Sequence, residues 1–483
     1  MTDRETLPTL VDEMWEENIL PKLTEFLGIP SKSPNFDADW LQNGYLLQVV
    51  QLVADWCEQR DIPGLSTEIL ILKDQKGKDR TPLLFIEIPA SEHGNQEETF
   101  LFYNHLDKQP ECPGWSEGLE PFKGVRKGDK LYGRGAVDDG YAIFTKIAAI
   151  EALHKTGGSY PRCVGVVETS EESCSPDLPF YLDMLSERIG TPSVVFVFDT
   201  MSGNYEQLWV TMSLRSILYA NLRVDVLKEP SIIANANGIV PSSFRIMRQL
   251  LSRVEDEETG LLKPDFCQAE IPAERRSQIS YIAADLGDEV FDNFVFADGV
   301  QPITDDPEQA LLSCYWEPLL ATVAQDGLKP LDNAALLLRT HTTLSLSFRL
   351  PPTADVYKVD EQLGALLTNK PPYNAKVSFE PYMHAQGWNA QPIAPWFEQA
   401  INKASLTHFG NKAKFWGSGG AIPVVSMLAE SYPQAQFMVS GLVGPGANAH
   451  GPDEFLHIPA AKKLTCCLAS IIDDHSHEVR QET

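Results

Sequence analysis

The sequence predicts an α/β fold in which a mostly parallel mixed sheet, covered by helices, is interrupted by a smaller α+β domain of ferredoxin-like type. Three observations lead to this prediction. Strand and helix patterns alternate over residues 1–210, a different pattern with longer strands fills 211–386, and the alternation returns over 387–483. We therefore expect one α/β domain in two parts, 1–210 and 387–483, and an inserted domain at 211–386.

The first part begins with two amphipathic helices, whose apolar residues recur at helical spacing. Short runs rich in β-branched and aromatic residues follow, and these are typical of strands. In chain order the expected elements are helices around Leu10–Phe26 and Trp40–Gln59, strands at Glu68–Leu72, Pro82–Ile88 and Thr99–Asn104, a helix at Asp139–His154, and strands at Cys163–Glu168 and Ser193–Phe198.

The inserted part shows strand, helix, strand, helix and strand patterns, with a polar, proline-containing stretch between the first helix and the second strand. Its expected elements are a strand at Leu218–Val226, a helix opened by Pro241, a strand at Thr343–Leu350, a helix at Val356–Leu367 and a strand at Lys376–Glu380. The last part is expected to contain a helix near Trp396–His408, a glycine-rich turn at Gly417–Pro423, a strand at Gln436–Ser440 and a helix from Pro459.

Composition restricts the class of partner. Acidic residues outnumber basic residues by 67 to 39, giving a formal charge of −28, and such a field repels phosphate backbones and anionic membranes. No stretch approaches the roughly 20 apolar residues of a membrane helix, and the start of the chain lacks the features of a secretory signal. We expect a cytoplasmic protein without nucleic-acid or membrane partners. Its eight cysteines form no Cys-x-x-Cys pair, so histidine and carboxylate side chains would hold any metal.

Side chains suited to metal binding or proton transfer stand just beyond the carboxyl ends of apolar strands. In open α/β sheets these ends form the ligand crevice, so residues far apart in sequence are expected to meet there. The positions are His105 with Asp107, the pair Asp138 and Asp139, the acidic group Glu168, Glu171 and Glu172, then Asp199, and finally His450 in a late loop.

Each position alone has a simpler explanation. His105 could be a strand-end histidine bonded to a neighbouring carboxylate, one aspartate of the adjacent pair could cap the following helix, and the acidic group could be a solvated turn. Together, two histidines and three carboxylates match what a pair of divalent ions requires. Two ions about 3.5 to 4 Å apart need a bridging carboxylate, for which Asp138 is the natural candidate.

In order and spacing these motifs resemble the zinc-dependent metallopeptidase family that contains carnosinase-like dipeptidases, aminoacylases and succinyl-diaminopimelate desuccinylase. The resemblance runs over almost the whole chain. It is carried by His105-Leu-Asp107, by the run from Gly114-Trp115 through Pro121-Phe122 to Leu131-Tyr-Gly-Arg-Gly and Asp138-Asp139, by Glu171-Glu172, and by Asn448-Ala-His450-Gly-Pro.

The resemblance implies two metal subsites. His105, Asp138 and Asp199 would hold one ion, and Asp138, Glu172 and His450 would hold the other, so that Asp138 bridges them. Zinc is the expected metal, and cobalt or manganese are the alternatives.

The resemblance also implies roles for the residues around the ions. Glu171 matches the general base that takes a proton from the attacking water, and Asp107 matches the residue that orients His105. The Asp138–Asp139 peptide bond matches one that is cis in relatives. The inserted domain matches a lid, in which Arg349 resembles an arginine that clamps a substrate carboxylate with its bidentate fork.

Three positions depart from the family pattern. Relatives usually carry a lid histidine that helps polarise the scissile carbonyl, often from a partner subunit, and this chain has Ile232 there; Asn235 or Asn237 is the hypothetical substitute. The loop at Gly420 lacks the hydroxyl that usually follows its glycines. Cys174 stands where glycine is usual, which we interpret as packing variation. Gly420 and Asn237 join Arg349 as the predicted substrate contacts.

The resulting prediction is a di-metal hydrolase that cleaves a peptide or N-acyl amide bond of a small carboxylate-bearing substrate. A dipeptidase, a carboxypeptidase and an N-acyl amino acid deacylase such as a desuccinylase all fit. The alternative is a catalytically weakened homologue that binds metal and amino-acid-like ligands, because the loss of one oxyanion donor lowers the rate by about 10² to 10³. The sequence leaves open a homodimer through the lid.

Overall fold

The structure, a computed structural model, describes residues 6–292, 294, 296–334 and 336–482. Residues 1–5, which belong to the N-terminal stretch interpreted above, lie outside the described residues. The chain divides into two units. Unit 1 comprises Met1–Thr211, Ala390–Trp416 and Met427–Thr483, and unit 2 comprises Met212–Asn389 and Gly417–Ser426.

The strands form mainly where β-branched and aromatic residues run together. In chain order they are β1 Ser66–Leu70, β2 Leu83–Ile88, β3 Thr99–His105, β4 Val125–Lys127, β5 Lys130–Tyr132, β6 Arg162–Glu168, β7 Val194–Val197, β8 Trp209–Leu214, β9 Ser216–Asp225, β10 Ser231–Ile232, β11 Leu319–Asp326, β12 Leu337–Leu338, β13 His341–Leu350, β14 Lys376–Ala385, β15 Trp388–Asn389, β16 Lys414–Ser418, β17 Gln436–Ser440 and β18 Phe455–His457.

The helices carry their apolar residues at helical spacing. They are α1 Leu7–Met14, α2 Leu20–Leu27, α3 Trp40–Asn43, α4 Tyr45–Glu58, α5 Tyr141–Lys155, α6 Leu178–Ile189, α7 Ile233–Ala236, α8 Ser243–Leu251, α9 Ala273–Leu286, α10 Pro307–Tyr315, α11 Val356–Thr368, α12 Pro395–His408, α13 Pro423–Ser431 and α14 Ile458–Glu482. Within the described residues, none of them has both the length and the apolar character that crossing a membrane requires. Each predicted helix and strand has a counterpart, and Gly44, with φ +70°, divides the second predicted helix into α3 and α4.

The main sheet of unit 1 has parallel strands at its centre. β3 lies between β6 and β7 and is parallel to both, and β17 is parallel to β7. Antiparallel strands extend this centre: β2 and then β1 lie beside β6, and residues 210–211 of β8 pair with β17. The buried helix α5 is apolar around most of its circumference, as expected for a helix enclosed on several sides. The predicted mixed sheet with helices is confirmed, and its parallel pairings are confined to the centre of the sheet.

Unit 2 contains a four-stranded antiparallel sheet in the order β11, β13, β9, β14. One face of the sheet carries Leu218, Leu222 and Leu346, which form a buried core with Ile246 of α8 and Leu363 of α11. The strands of this sheet and the two helices that share its core follow one another along the chain as β9, α8, β11, β13, α11 and β14, which is the ferredoxin-like order. The predicted α+β type is therefore observed, whereas the action of this unit as a lid stays a prediction.

Unit 2 differs from the predicted inserted domain chiefly by one additional segment. Residues 417–426, which the sequence assigns to the last α/β segment, cluster with unit 2. The contacts explain this, because the backbone N–H of Arg215 donates to the carbonyl of Gly420 at 2.9 Å and the Ser426 hydroxyl donates to the carbonyl of Gln386 at 2.7 Å. The boundaries at 211 and 386 remain a prediction.

Candidate metal centre

The candidate site lies at the carboxyl edge of the parallel strands of unit 1. His105 is the last residue of β3 and pairs in register with Glu168, the last residue of β6. Asp199 stands two residues beyond β7, and the loop after β17 carries His450. Because parallel strands end at the same edge, these distant parts of the sequence meet in one place.

Two groups of three side chains share Asp138, and the ligand atoms within each group lie within 4.8 Å of one another. In the first triad, His105 Nε2 lies 3.3 Å from Asp138 Oδ1 and 3.8 Å from Asp199 Oδ2. In the second triad, His450 Nε2 lies 2.8 Å from Asp138 Oδ2 and 3.5 Å from Glu172 Oε2. The structure thus brings together the five side chains predicted as metal ligands, and each oxygen of Asp138 faces a different histidine.

The turn that carries Asp138 has an unusual backbone. The Asp138–Asp139 peptide bond is cis, and Gly135, at the start of the turn, has φ +84°. Asp139 belongs to neither triad, and its Oδ2 accepts hydrogen bonds from Asn104 Nδ2 at 2.8 Å and from the backbone N–H of His105 at 3.4 Å. Helix α5 begins after Gly140 without a side-chain cap, so the alternative that one of the aspartates caps it is wrong.

Asp107 supports both sides of the site. Its backbone carbonyl lies 3.1 Å from His105 Nδ1, and its carboxylate lies 3.5 Å from the same nitrogen. The carboxylate also accepts hydrogen bonds from the backbone N–H groups of Glu171 at 3.1 Å and Glu172 at 3.0 Å. The Asp107 carboxylate therefore fixes the backbone at Glu171 and Glu172 next to His105, the histidine that Asp107 was predicted to orient.

The residues of the two triads fit a pair of divalent cations. His105 Nε2 is fully buried, faces two carboxylates and has no hydrogen-bond partner among the described residues. Burial and the charge of Asp138 raise the pKa values of Asp199 and Glu172 well above the ordinary range, whereas burial is outweighed at Asp138 by the nearby imidazoles of His105 and His450, which lower its pKa. Crowded carboxylates with imidazoles are a suitable donor set for zinc or a related metal.

Glu171 lies beside the triads but belongs to neither. Burial, together with the charges of Asp107 and Asp138 and against the effect of His105, raises the pKa of Glu171 to about 8. A buried carboxylate that is not used as a ligand, beside residues that are, is suited to general acid–base work. Its role as the base stays a prediction.

Sequence reasoning missed several polar residues that support the site. Gln109 Nε2 donates to Glu172 Oε2 at 2.5 Å. Glu168 is no solvated acid, since its carboxylate accepts from the hydroxyls of Tyr103 at 2.7 Å, Ser175 at 2.7 Å and Ser170 at 2.9 Å. These supporting residues lie on a strand or in loops, close in sequence to the predicted ligands. That closeness in sequence is the signal that could have identified them.

The predicted substrate contacts all lie in unit 2. Arg349 on β13 donates from Nη2 to the Tyr219 hydroxyl at 3.3 Å. The carbonyl of Gly420 accepts from Arg215, and the exposed Asn237 closes a turn in which its N–H donates to the carbonyl of Ile233 at 2.9 Å. Ile232 pairs with Leu337 and is 52% exposed. Contact of any of them with substrate remains a prediction.

Cys174 adopts a backbone conformation that favours glycine. Its φ is +66° and its ψ is +34°, directly after the turn that carries Glu171 and Glu172, and Ser175 follows with φ +50°. Residues with a Cβ atom rarely adopt this left-handed region. The backbone conformation therefore accounts for the glycine that is usual at this position, and the interpretation of Cys174 as packing variation stays a prediction.

Metal removal is expected to make stability depend strongly on pH. Without a cation, the pKa of Glu171 rises from 4.5 to about 8 and those of Asp199 and Glu172 also rise. Groups with raised pKa values stabilise the fold at low pH and lose that contribution as pH rises through the folded pKa. The melting temperature of protein stripped with EDTA should fall between pH 5 and pH 8.5, and added zinc should raise it most at pH 8.5. A stripped protein whose melting temperature rises over this interval would contradict the assignment.

Known proteins resemble this chain in sequence and in fold. The model of peptidase family M20/M25/M40 matches residues 101–474. A cysteinylglycine-S-conjugate dipeptidase of Corynebacterium striatum is 24% identical over 368 residues, covering 74% of this chain and 76% of that protein. A Cys-Gly metallodipeptidase of Schizosaccharomyces pombe is 24% identical over 354 residues, covering 71% and 73%. The crystal structure of human carnosine dipeptidase 1 shares the fold, with a TM-score of 0.78 at 19% identity over 98% of this chain and 99% of that chain.

Proposed function

The chain belongs to peptidase family M20/M25/M40 and is a metal-dependent hydrolase, and from this premise we propose that it hydrolyses the peptide bond of dipeptides with two divalent ions, most simply zinc. The observation that carries the proposal is the pair of triads that share Asp138 while Glu171 stands beside them uncommitted. When bound, two such ions supply Lewis-acid polarisation and an activated water nucleophile.

The chain's own residues supply the remaining tasks. His105, Asp138 and Asp199 would hold one ion, and Asp138, Glu172 and His450 the other. Glu171, a carboxylate that belongs to neither triad, would accept the proton of the attacking water and pass it to the leaving amine.

Substrate recognition is assigned to unit 2. Arg349 would bind the carboxylate of the substrate, and Gly420 and Asn237 would contact its polar backbone. The guanidinium of Arg349 is half-buried, and in the described part of unit 2 no carboxylate forms an ion pair with it. An arginine with unused donors is suited to bidentate capture of a carboxylate.

We favour dipeptides over N-acyl amino acids as substrates. The relatives named above match about three quarters of their own length and are described as dipeptidases. Their names also weigh against a homologue without turnover, although Ile232 stands in place of the usual histidine. A carboxypeptidase or deacylase activity would use the same amide chemistry.

A substrate panel tests the proposal. Stripped protein is reloaded with zinc, cobalt or manganese and assayed against Cys-Gly, β-Ala-His, N-acetyl and N-succinyl amino acids. We expect metal-dependent cleavage, fastest on one of the dipeptides. Faster cleavage of the N-acyl compounds would instead identify a deacylase, and binding of two ions without hydrolysis of any compound would favour the weakened homologue.

Three further properties stay proposals. Dimerisation through unit 2 is testable by sedimentation, a cytoplasmic location by fractionation, and the native metal by elemental analysis of protein purified without chelators. Each follows from the sequence and the family, and none is needed for the chemistry proposed at the two triads.

A further inference from the structure

A buried ion pair joins the two segments that build the second triad. Arg134 lies in the turn before Asp138, and Glu454 lies in the loop after His450. Arg134 Nη1 lies 2.6 Å from Glu454 Oε2, and their side chains are 1% and 0% exposed. Their positions in the sequence alone indicate no role for either residue.

Each side chain of the pair crosses to the segment of the other. Arg134 Nη2 donates to the carbonyls of His450 at 2.9 Å and Gly451 at 3.0 Å. In return, Glu454 Oε1 accepts from the backbone N–H groups of Gly135 at 3.0 Å and Val137 at 3.2 Å. The pair therefore fixes the backbones on both sides of the 2.8 Å approach between His450 and Asp138.

His450 needs such support more than His105 does. His105 ends a buried strand and is itself fully buried, whereas the side chain of His450 is 56% exposed and its backbone has φ +66°. Asn448 and Asp453 in the same loop also have positive φ. Such conformations persist only when the surroundings over-determine them, and here the arginine fork holds the two carbonyls.

We propose that the Arg134–Glu454 pair is the positioning device that assembles the second metal subsite, by holding the His450 loop against the turn that carries Asp138. The inference rests on the proposed two-metal function. Neither residue would touch substrate or ion. The pair would affect the affinity of only one of the two ions. Partners that orient metal ligands typically contribute about 10- to 100-fold to affinity.

The test is zinc titration of stripped Arg134→Lys protein by calorimetry, with bound zinc measured after dialysis. Lysine keeps the charge but cannot reach Glu454 and both carbonyls at once. We expect one ion to bind as in the wild type and the other about 10- to 100-fold more weakly. Combining Arg134→Lys with His450→Ala should add no further loss, whereas combining it with Asp199→Asn should leave neither ion tightly bound.

The matched control is Arg80→Lys. Arg80 forms a 2.6 Å ion pair with Asp177 in unit 1, and both side chains are less than one-fifth exposed, at 14% and 17%. This variant should bind both ions with wild-type affinity even if its melting temperature falls. An equal loss of one ion in Arg80→Lys, or unchanged binding of both ions in Arg134→Lys, would overturn the inference.

Two further measurements cover the remaining outcomes. Glu454→Gln keeps an oxygen for the N–H groups of Gly135 and Val137, and should weaken the same ion. In stripped wild-type protein those two N–H groups should be protected from hydrogen exchange, and rapid exchange would overturn the inference even if both variants failed to fold. Wild-type protein that binds fewer than two ions would contradict the proposed function instead.

Discussion

The Glu171→Gln variant is expected to bind both metal ions like the wild-type protein and to hydrolyse dipeptides about 10²- to 10⁴-fold more slowly. Glutamine has the shape of glutamate but cannot accept the proton of the attacking water. The backbone N–H of Glu171 is held by Asp107, so the position of the residue should not change. Elemental analysis measures the bound metal, and single-turnover kinetics measure the chemical step.

The neighbouring Glu172→Gln variant is the matched control. Glu172 belongs to the second triad and its carboxylate lies 3.5 Å from His450 Nε2, so this change should lower metal content as well as activity. Undiminished hydrolysis by Glu171→Gln would reject Glu171 as the base. Loss of an ion from Glu171→Gln would mean that Glu171 is a metal ligand, and Glu172 would then be the candidate base.

Strand ends explain why much of the candidate site could be predicted. His105 ends one apolar strand and Asp199 stands just beyond another, and neighbouring parallel strands end at the same edge of a sheet. Asp138 lies in a glycine-rich turn, whose path no periodic pattern describes, and it was predicted as the bridge because two adjacent ions need a carboxylate between them. The Arg134–Glu454 pair was missed because 320 positions separate two residues that each look like ordinary surface charges.

The fold likewise contains elements that the sequence predicts and elements that it does not. The buried strands β3, β6 and β7 are continuous apolar runs, and the sequence placed them correctly. β11 was missed because most of its residues are exposed, so it lacks the one-sided burial that marks a strand. It lies at the edge of the sheet of unit 2, where pairing with β13 rather than its own side chains defines it. Helices α9 and α10 fall in the polar stretch that carried no helical prediction.

Replacement of Arg349 by methionine is expected to lower kcat/KM for a dipeptide by about 30- to 4,000-fold, since loss of one partner from a desolvated ion pair costs about 2 to 5 kcal/mol. The guanidinium packs near Tyr219, with its carbon 6.0 Å from the ring centroid, and methionine should keep much of this contact. The decrease in kcat/KM should therefore result from removal of the positive charge. The same dipeptide with a C-terminal amide has no carboxylate, so its slower hydrolysis should change little in the variant.

Arg223→Met is the matched control for this comparison. Arg223 lies on β9, on the same face of the unit 2 sheet as Tyr219, and pairs with Asp225 at 2.8 Å. Removal of its charge should leave the preference for the carboxylate over the amide unchanged. If Arg349→Met slowed both substrates equally, the arginine would support the fold of unit 2 and not bind the carboxylate. If Arg223→Met abolished the preference, the carboxylate would be recognised elsewhere on that sheet, and the assignment of Arg349 would fail.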